Sequence, residues 1–282
     1  MLTSQIGSRR LALRALAAAW FAAAAGGRRA AAQMPAMGDF SDHEKLDRDQ
    51  VLARLVASSA AAPADFYAKN LSGLKLAGVN FKQAELGAAV LNGADLSGAN
   101  LSGCNLTVSF AEHADLRGAN LRGAVMFSMQ LRGSDLRDAD LTSVRFIGDL
   151  RQADLRGARL VDMDGSADMK NQSMGLMHSV ISSANLDHAD LHGADLSRAD
   201  FSFSSLDGAN LRSTRIFGGD FSGTSLVGAD LTDADLRESK FIDTDFTRAN
   251  LTRADLTGST LRNVRGLDSA RLTDIQGLAY PQ

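Results

Sequence analysis

The residues of this 282-residue chain that could do chemistry are five histidines, one cysteine and a dense run of aspartates. Covalent catalysis by cysteine needs a thiolate with a base beside it. Cys104 stands two residues before Leu106, a spacing that turns both side chains the same way and predicts a buried thiol acting as a small apolar group. His43 falls in a region expected to be helical, and His113, His188 and His192 fall at positions expected to face outward. None has a serine or cysteine at a convincing nucleophile spacing. The aspartates recur so evenly that choosing any two as an acid–base pair is arbitrary. The glycines recur with the same period, so they make no phosphate loop. These patterns predict neither an enzyme nor a cofactor.

Two local sets stand out from the background. Met163, Met169, Met174, Met177 and His178 cluster with Asp162, Asp164 and Asp168. Thioether and imidazole groups suit copper. Alternating aspartates suit calcium, although the spacing is not that of an EF-hand loop. The plainer reading is that methionines fill an irregular stretch of core, and no metal is expected. The second set is basic. Arg117, Arg137 and Arg156 are 20 and 19 residues apart, Arg132 and Arg151 are 19 apart, and Arg122 lies nearby. Columns of guanidinium would face a polyanion or an acidic partner. Asp115, Asp135, Asp138 and Asp154 offer the alternative of a salted, solvated face.

The elements that place these residues follow from a period of five. Leu91, Leu96, Leu101 and Leu106 show it, and it runs unbroken from Ile181 through Leu186, Leu191, Leu196, Phe201 and onward to Leu261. A small residue, usually Ala, stands two before each apolar one, and Asp or Asn stands one before. Ala94-Asp95-Leu96-Ser97-Gly98 is a complete unit. Five is neither 3.6 nor 2, so no ordinary helix or flat strand explains it, and a short repeat over most of a chain means a solenoid. Asp or Asn beside a corner can bond local backbone, and glycine at the last position relaxes the corner dihedrals.

The repeat resembles the pentapeptide-repeat family, A-(D/N)-L-x-x, over about residues 71–261. That resemblance implies an all-β fold, a right-handed quadrilateral β-helix with one pentapeptide per face and 20 residues per coil. Thirty-six units then make about nine coils over 71–264. Phe201, Phe221 and Phe241, spaced by 20, should stack as a column. Phe217, next to Ile216, should point out. Ala111 stands where a larger apolar residue belongs. The register slips twice: Phe146 to Leu150 is four residues and Leu160 to Ile181 is 21. Residues 162–175 lack the motif and are expected to bulge or loop from one face.

The flanks read differently. Ser8-Arg9-Arg10-Leu11-Ala12-Leu13 resembles a twin-arginine export motif. Ala15 to Ala25 is apolar but too short to span a bilayer, and Ala30-Ala31-Ala32 is a cleavage signal. Residues 1–32 are expected to be a signal peptide, leaving a periplasmic bacterial protein with no stable membrane insertion. Removing their five arginines takes the net charge from −3 to −8. In residues 33–70, a helix is expected over about 41–60. Ser41 and Glu44 would form its capping box, and Leu46, Val51, Leu52, Leu55 and Val56 its apolar stripe. It would cover the open first coil, since a bare sheet end invites aggregation. Residues 265–282, with Leu272, Ile275 and Leu278, are expected to form a second cap.

The function these features predict is an exported, non-enzymatic scaffold or protein-interaction surface, with an unidentified protein partner and no nucleic acid. The resemblance brings one alternative, since some cytoplasmic relatives mimic DNA and protect gyrase. The Met/His/Asp set brings another, a metal-binding module.

Overall fold

A computed structural model describes residues 40–166 and 178–278. Four columns of parallel β-bridges run through it. One column runs Asp65, Glu85, Asn105, Val125, Arg145, Asp164, Asp195, Arg215, Asp235, Asp255 and Gln276. The others run from Lys45 and Asn70 to Thr260, from Lys75 to Arg265, and from Asn80 to Arg271. Each column is one face of a solenoid with four faces.

The pentapeptide builds this locally. The N–H of Ala94 donates to the Leu91 carbonyl at 3.0 Å, closing one corner, and the same bond recurs from Ala99 to Leu96. The fifth residue of nearly every described unit is left-handed, with φ of 61° at Gly98. That conformation is free for glycine and strained for other residues. His113 at 55° and Phe203 at 59° adopt it nonetheless. The Asp95 carboxylate accepts from the Ser97 N–H at 3.3 Å and the Asn100 side chain from the Ser102 N–H at 3.1 Å. The corner role expected of the Asp/Asn position is therefore observed.

Inside, the apolar residue at the centre of each unit is at most 1% exposed from Phe66 to Leu256. The Phe201 and Phe221 rings stack at 5.1 Å and 6°, and the Phe221 and Phe241 rings at 5.0 Å and 13°. Phe217 is half-buried on the outside under the Arg237 guanidinium. Ala111 is buried in its central position.

Six expectations need correction. The ladder begins before Leu71, because Phe66 is already a central residue and β1 (Glu44–Lys45) pairs with β2 (Lys69–Asn70). That pairing holds residues 44 and 45 extended, so the helix starts later than 41. It is α1, Arg48–Ala57, and its capping box is Asp47 with Gln50 rather than Ser41 with Glu44. Leu46, Val51 and Leu55 are buried, whereas Val56 is 80% exposed. At the other end, Arg265, Arg271 and Gln276 are ladder rungs, so this stretch continues the solenoid instead of capping it. Finally, the ladder holds through Asp164, which bridges Arg145 and Asp195. Residues 162–164 thus belong to a coil. Residues 167–177 lie outside the described part.

The missing residue after Phe146 is absorbed between β3 (Val125–Gln130) and β4 (Arg145–Asp149). Their register slips from Phe127 opposite Ile147 to Gln130 opposite Asp149. Gly148 makes this possible, since a Cβ there would sit 2.3 Å from the Met129 carbonyl oxygen. Two further short strands, β5 (Lys240–Ile242) and β6 (Thr260–Arg262), pair in parallel.

Helix α1 lies against the first coil. Carbonyls at that edge have no preceding coil to pair with, so side chains and one backbone amide take them. Arg48 Nε donates to the Lys75 carbonyl at 3.0 Å, Arg54 Nη1 to Asp65 at 3.3 Å, and the Leu46 N–H to Asn70 at 3.0 Å. The Lys82 ammonium in turn donates to the Leu55 carbonyl near the helix end, at 2.9 Å.

Candidate functional site

The arginines expected to align do align. The Gly118 N–H donates to the Arg137 carbonyl and the Asp138 N–H to Arg156, so Arg117, Arg137 and Arg156 sit on consecutive rungs of one face. Arg132 and Arg151 are adjacent on the preceding face, linked through the Gly133 N–H.

The guanidinium groups do not stand as a positive column. Arg117 grips Asp115 in a two-pronged bond, Nε at 2.8 Å and Nη2 at 2.6 Å, and reaches Asp135 on the next coil at 3.7 Å. Arg137 repeats this with Asp135 at 2.9 and 2.7 Å and with Asp154 at 3.6 Å. Arg156 holds Asp154 through Nε at 2.9 Å and Nη2 at 2.6 Å. The result is an alternating ridge of three acids and three bases, near neutral in sum. Arg151 is locked to the buried Asp149, with Nη2 at 2.5 Å. Arg122 pairs with Asp140 at 3.3 Å, and Arg132 Nε donates to Gln152 Oε1 at 3.3 Å. Hydrogen bonding from Arg117 holds the Asp115 carboxyl below its ordinary pKa, and Arg156 does the same for Asp154. Of the two readings open in the sequence, the geometry supplies the salted face. The aspartate one position before each central residue is the reason, because it reaches the residue two positions on.

Of the Met/His/Asp set, only part falls among the described residues. Met163 is 1% exposed, packed in the core at the small inward position before Gly165. Met169, Met174 and Met177 lie outside the described residues, and His178 is half-buried. Among the described residues, no cluster of three or more His, Cys, Asp and Glu could hold a metal. Cys104 is buried, and burial pushes its thiol up to about 12, far from a reactive thiolate.

Sequence reading missed how fifth-position side chains lie over the next coil. The His113 ring covers Gly133, His188 covers Gly208 and Phe203 covers Gly223, each so closely that an added Cβ would be within 2.7 Å of the ring. A bulky residue 20 positions before a glycine was the available signal. Phe203 is 73% exposed despite this contact. A second missed network links coils on one face: the Ser205 hydroxyl donates to Asp187, and the Ser225 hydroxyl to Asp207.

Four-sided ladders, a continuous apolar core and outward side chains tied to one another define a β-solenoid that displays surfaces rather than a cleft. The chain belongs to the family of pentapeptide repeats, whose model matches eight copies over residues 70–107, 111–148, 176–212, 194–233, 217–252 and 229–265, more than half of the sequence. Proteins of this family form right-handed quadrilateral β-helices and in general serve structural or interaction roles rather than catalysis. Among solved structures, the chain is similar to HetL, a pentapeptide repeat protein involved in heterocyst differentiation regulation in Nostoc. Identity is 25% over 82% of this chain and 94% of that one, with a TM-score of 0.45. It is also similar to QnrB1, a plasmid-mediated fluoroquinolone resistance protein, at 22% identity over 73% and 90%, TM-score 0.36. Similarity to Rfr23 from Cyanothece is 25% over 44% and 82%, TM-score 0.29. No curated protein matches the chain.

Proposed function

We propose that this protein is an exported, non-enzymatic scaffold that presents a rigid interaction surface to a protein partner. The observation that carries the reading is the alternating ridge Asp115–Arg117–Asp135–Arg137–Asp154–Arg156, held by two-pronged bonds within each unit and by longer ones between coils. A surface already ordered loses little side-chain entropy on docking. Its near-neutral sum favours a partner with matching alternation over a polyanion, and alternation of sign gives specificity more than raw affinity. Export is supported by Arg9-Arg10 and Ala30-Ala31-Ala32. A periplasmic site separates this role from protection of a cytoplasmic topoisomerase.

Two experiments test the halves of the reading separately. Arg9→Lys with Arg10→Lys should abolish processing and leave the chain in the cytoplasm. Normal export of that variant, or a mature N-terminus far from Gln33, refutes the route. Replacing Arg117, Arg137 and Arg156 with Ser should remove partners captured by the parent protein while leaving the fold intact. An unchanged set of partners refutes the ridge as the docking face.

A further inference from the structure

Among the described residues every asparagine but one precedes Leu, Phe or Val; the exception is Asn92, which precedes Gly93. Asn92 follows the central residue Leu91, so Gly93 is the left-handed corner residue, with φ of 63°. Both members of the pair are tied to one residue of the next coil. The Gly93 N–H donates to the Glu112 carbonyl at 2.9 Å, and Asn92 Oδ1 accepts from the Glu112 N–H at 3.0 Å. The second bond has a local cause. In most units the Asp or Asn before the central residue takes this N–H, as Asp95 takes that of Ser97. Phe110 stands at that place in the Glu112 unit and offers no side-chain acceptor, so the amide of the preceding coil replaces it. Asp187 and Asp207 do the same for the N–H groups of Asp207 and Val227, at 3.1 and 3.0 Å, where Ser205 and Ser225 stand in the Phe110 position. Asn92 is half-buried and the space beside the Gly93 Cα is open, so water reaches the pair.

We infer that Asn92 is a self-modification site: it deamidates when the ladder between Asn92 and Glu112 opens, and the closed ladder guards it. The reaction needs only water. The Gly93 backbone nitrogen gives up its proton and attacks the Asn92 side-chain carbonyl carbon, a cyclic imide closes, and the amide nitrogen leaves as ammonia. Water then opens the ring at either carbonyl and leaves aspartate or isoaspartate. Gly93 has no Cβ to hinder ring closure, whereas the Leu, Phe or Val after every other described asparagine does. In the closed ladder neither reacting group is available. The nitrogen's proton is held by the Glu112 carbonyl, and the side-chain oxygen is drawn to the next coil instead of lying back over Gly93. Local opening releases both bonds together. The two products differ in consequence. Aspartate keeps the acceptor for the Glu112 N–H, as Asp187 and Asp207 show, and adds a negative charge to that face. Isoaspartate adds a backbone atom within the unit, which pulls Gly93 out of register with Glu112 and breaks the ladder for good.

The test follows the full chain, as the cell processes it, through days of incubation in mildly alkaline buffer, with and without unfolding urea. Peptide mass spectrometry reads the mass gained when the amide becomes an acid, and Asn100, which precedes Leu101, is the internal control. In urea, Asn92 should deamidate well ahead of Asn100. In native buffer its rate should fall at least about 25-fold, since a typical hydrogen bond is worth about a factor of five and both must open. Asn92→Asp, a copy of the first product, should keep the parent's urea midpoint. Native deamidation of Asn92 as fast as in urea would overturn the guarding role of the ladder. An unfolded chain that modifies Asn92 no faster than Asn100 would overturn the site itself. A marked loss of stability in Asn92→Asp would overturn the reading that a carboxylate can serve as the acceptor there.

Discussion

Replacing Phe221 with Ala tests the register of the whole solenoid. The Phe221 ring is fully buried and stacks on Phe201 at 5.1 Å and on Phe241 at 5.0 Å. Truncating a core phenylalanine costs about 3–5 kcal/mol. The upper part of that range fits here, because two ring pairs of about 0.5–1.5 kcal/mol each are lost at once and the coils above and below are fixed by their ladders. Phe217 supplies the control, four residues away, half-buried on the outer surface with Arg237 at 5.9 Å from its ring centre. Its truncation should cost about 0.5–1 kcal/mol. With a urea m-value of about 3 kcal/mol per molar, Phe221→Ala should lower the midpoint by about 1.3–1.7 M and Phe217→Ala by less than about 0.3 M. Circular dichroism at increasing urea reads both. Equal midpoints would mean that the five-residue register, and with it the inward assignment of every central residue, is wrong.

Other outcomes follow from the same geometry. Gly148→Ala should destabilise by about 3 kcal/mol, the upper end for overpacking, since its Cβ would meet the Met129 carbonyl oxygen. Gly98→Ala, with open space around it, should cost only the left-handed strain of about 1–2 kcal/mol; a thermal melt that ranks the two equally contradicts the bulge. Cys104 should resist a thiol reagent at pH 8 in the native protein and react in urea, because burial raises its pKa to about 12; rapid native labelling would place it outside the core. Acid should weaken the ridge. The folded Asp115 and Asp154 carboxyls titrate below their ordinary value. Their contribution is therefore complete above the ordinary carboxylate pKa of about 3.9 and is lost as pH falls through the lower folded value. Between pH 6 and pH 2 the melting temperature of the parent should drop more than that of the Arg117, Arg137 and Arg156→Ser variant, and parallel profiles would remove the ridge from the acid response.

What the sequence determined by itself was everything governed by the period. A repeat of five with a small residue two before the apolar one turns both side chains the same way, so the solenoid and its inward residues were legible without coordinates, while the 20-residue coil, and with it the column Phe201–Phe221–Phe241, came from the resemblance to the pentapeptide-repeat family. The Arg117–Arg137–Arg156 alignment was legible for the same reason, including the allowance for one missing residue. Tertiary structure decided what no period encodes. Whether those arginines stand free or grip Asp115, Asp135 and Asp154 depends on side-chain reach across a corner, and only the folded geometry shows the grip. The start of α1 at Arg48 depended on Glu44 and Lys45 pairing with Lys69 and Asn70, a contact between residues 25 apart in sequence. The tail read as a cap because Leu272, Ile275 and Leu278 depart from the five-residue period. It forms rungs because the Asn250 and Asp255 backbones offered an open edge, and an open edge is a property of the stack rather than of any segment in it.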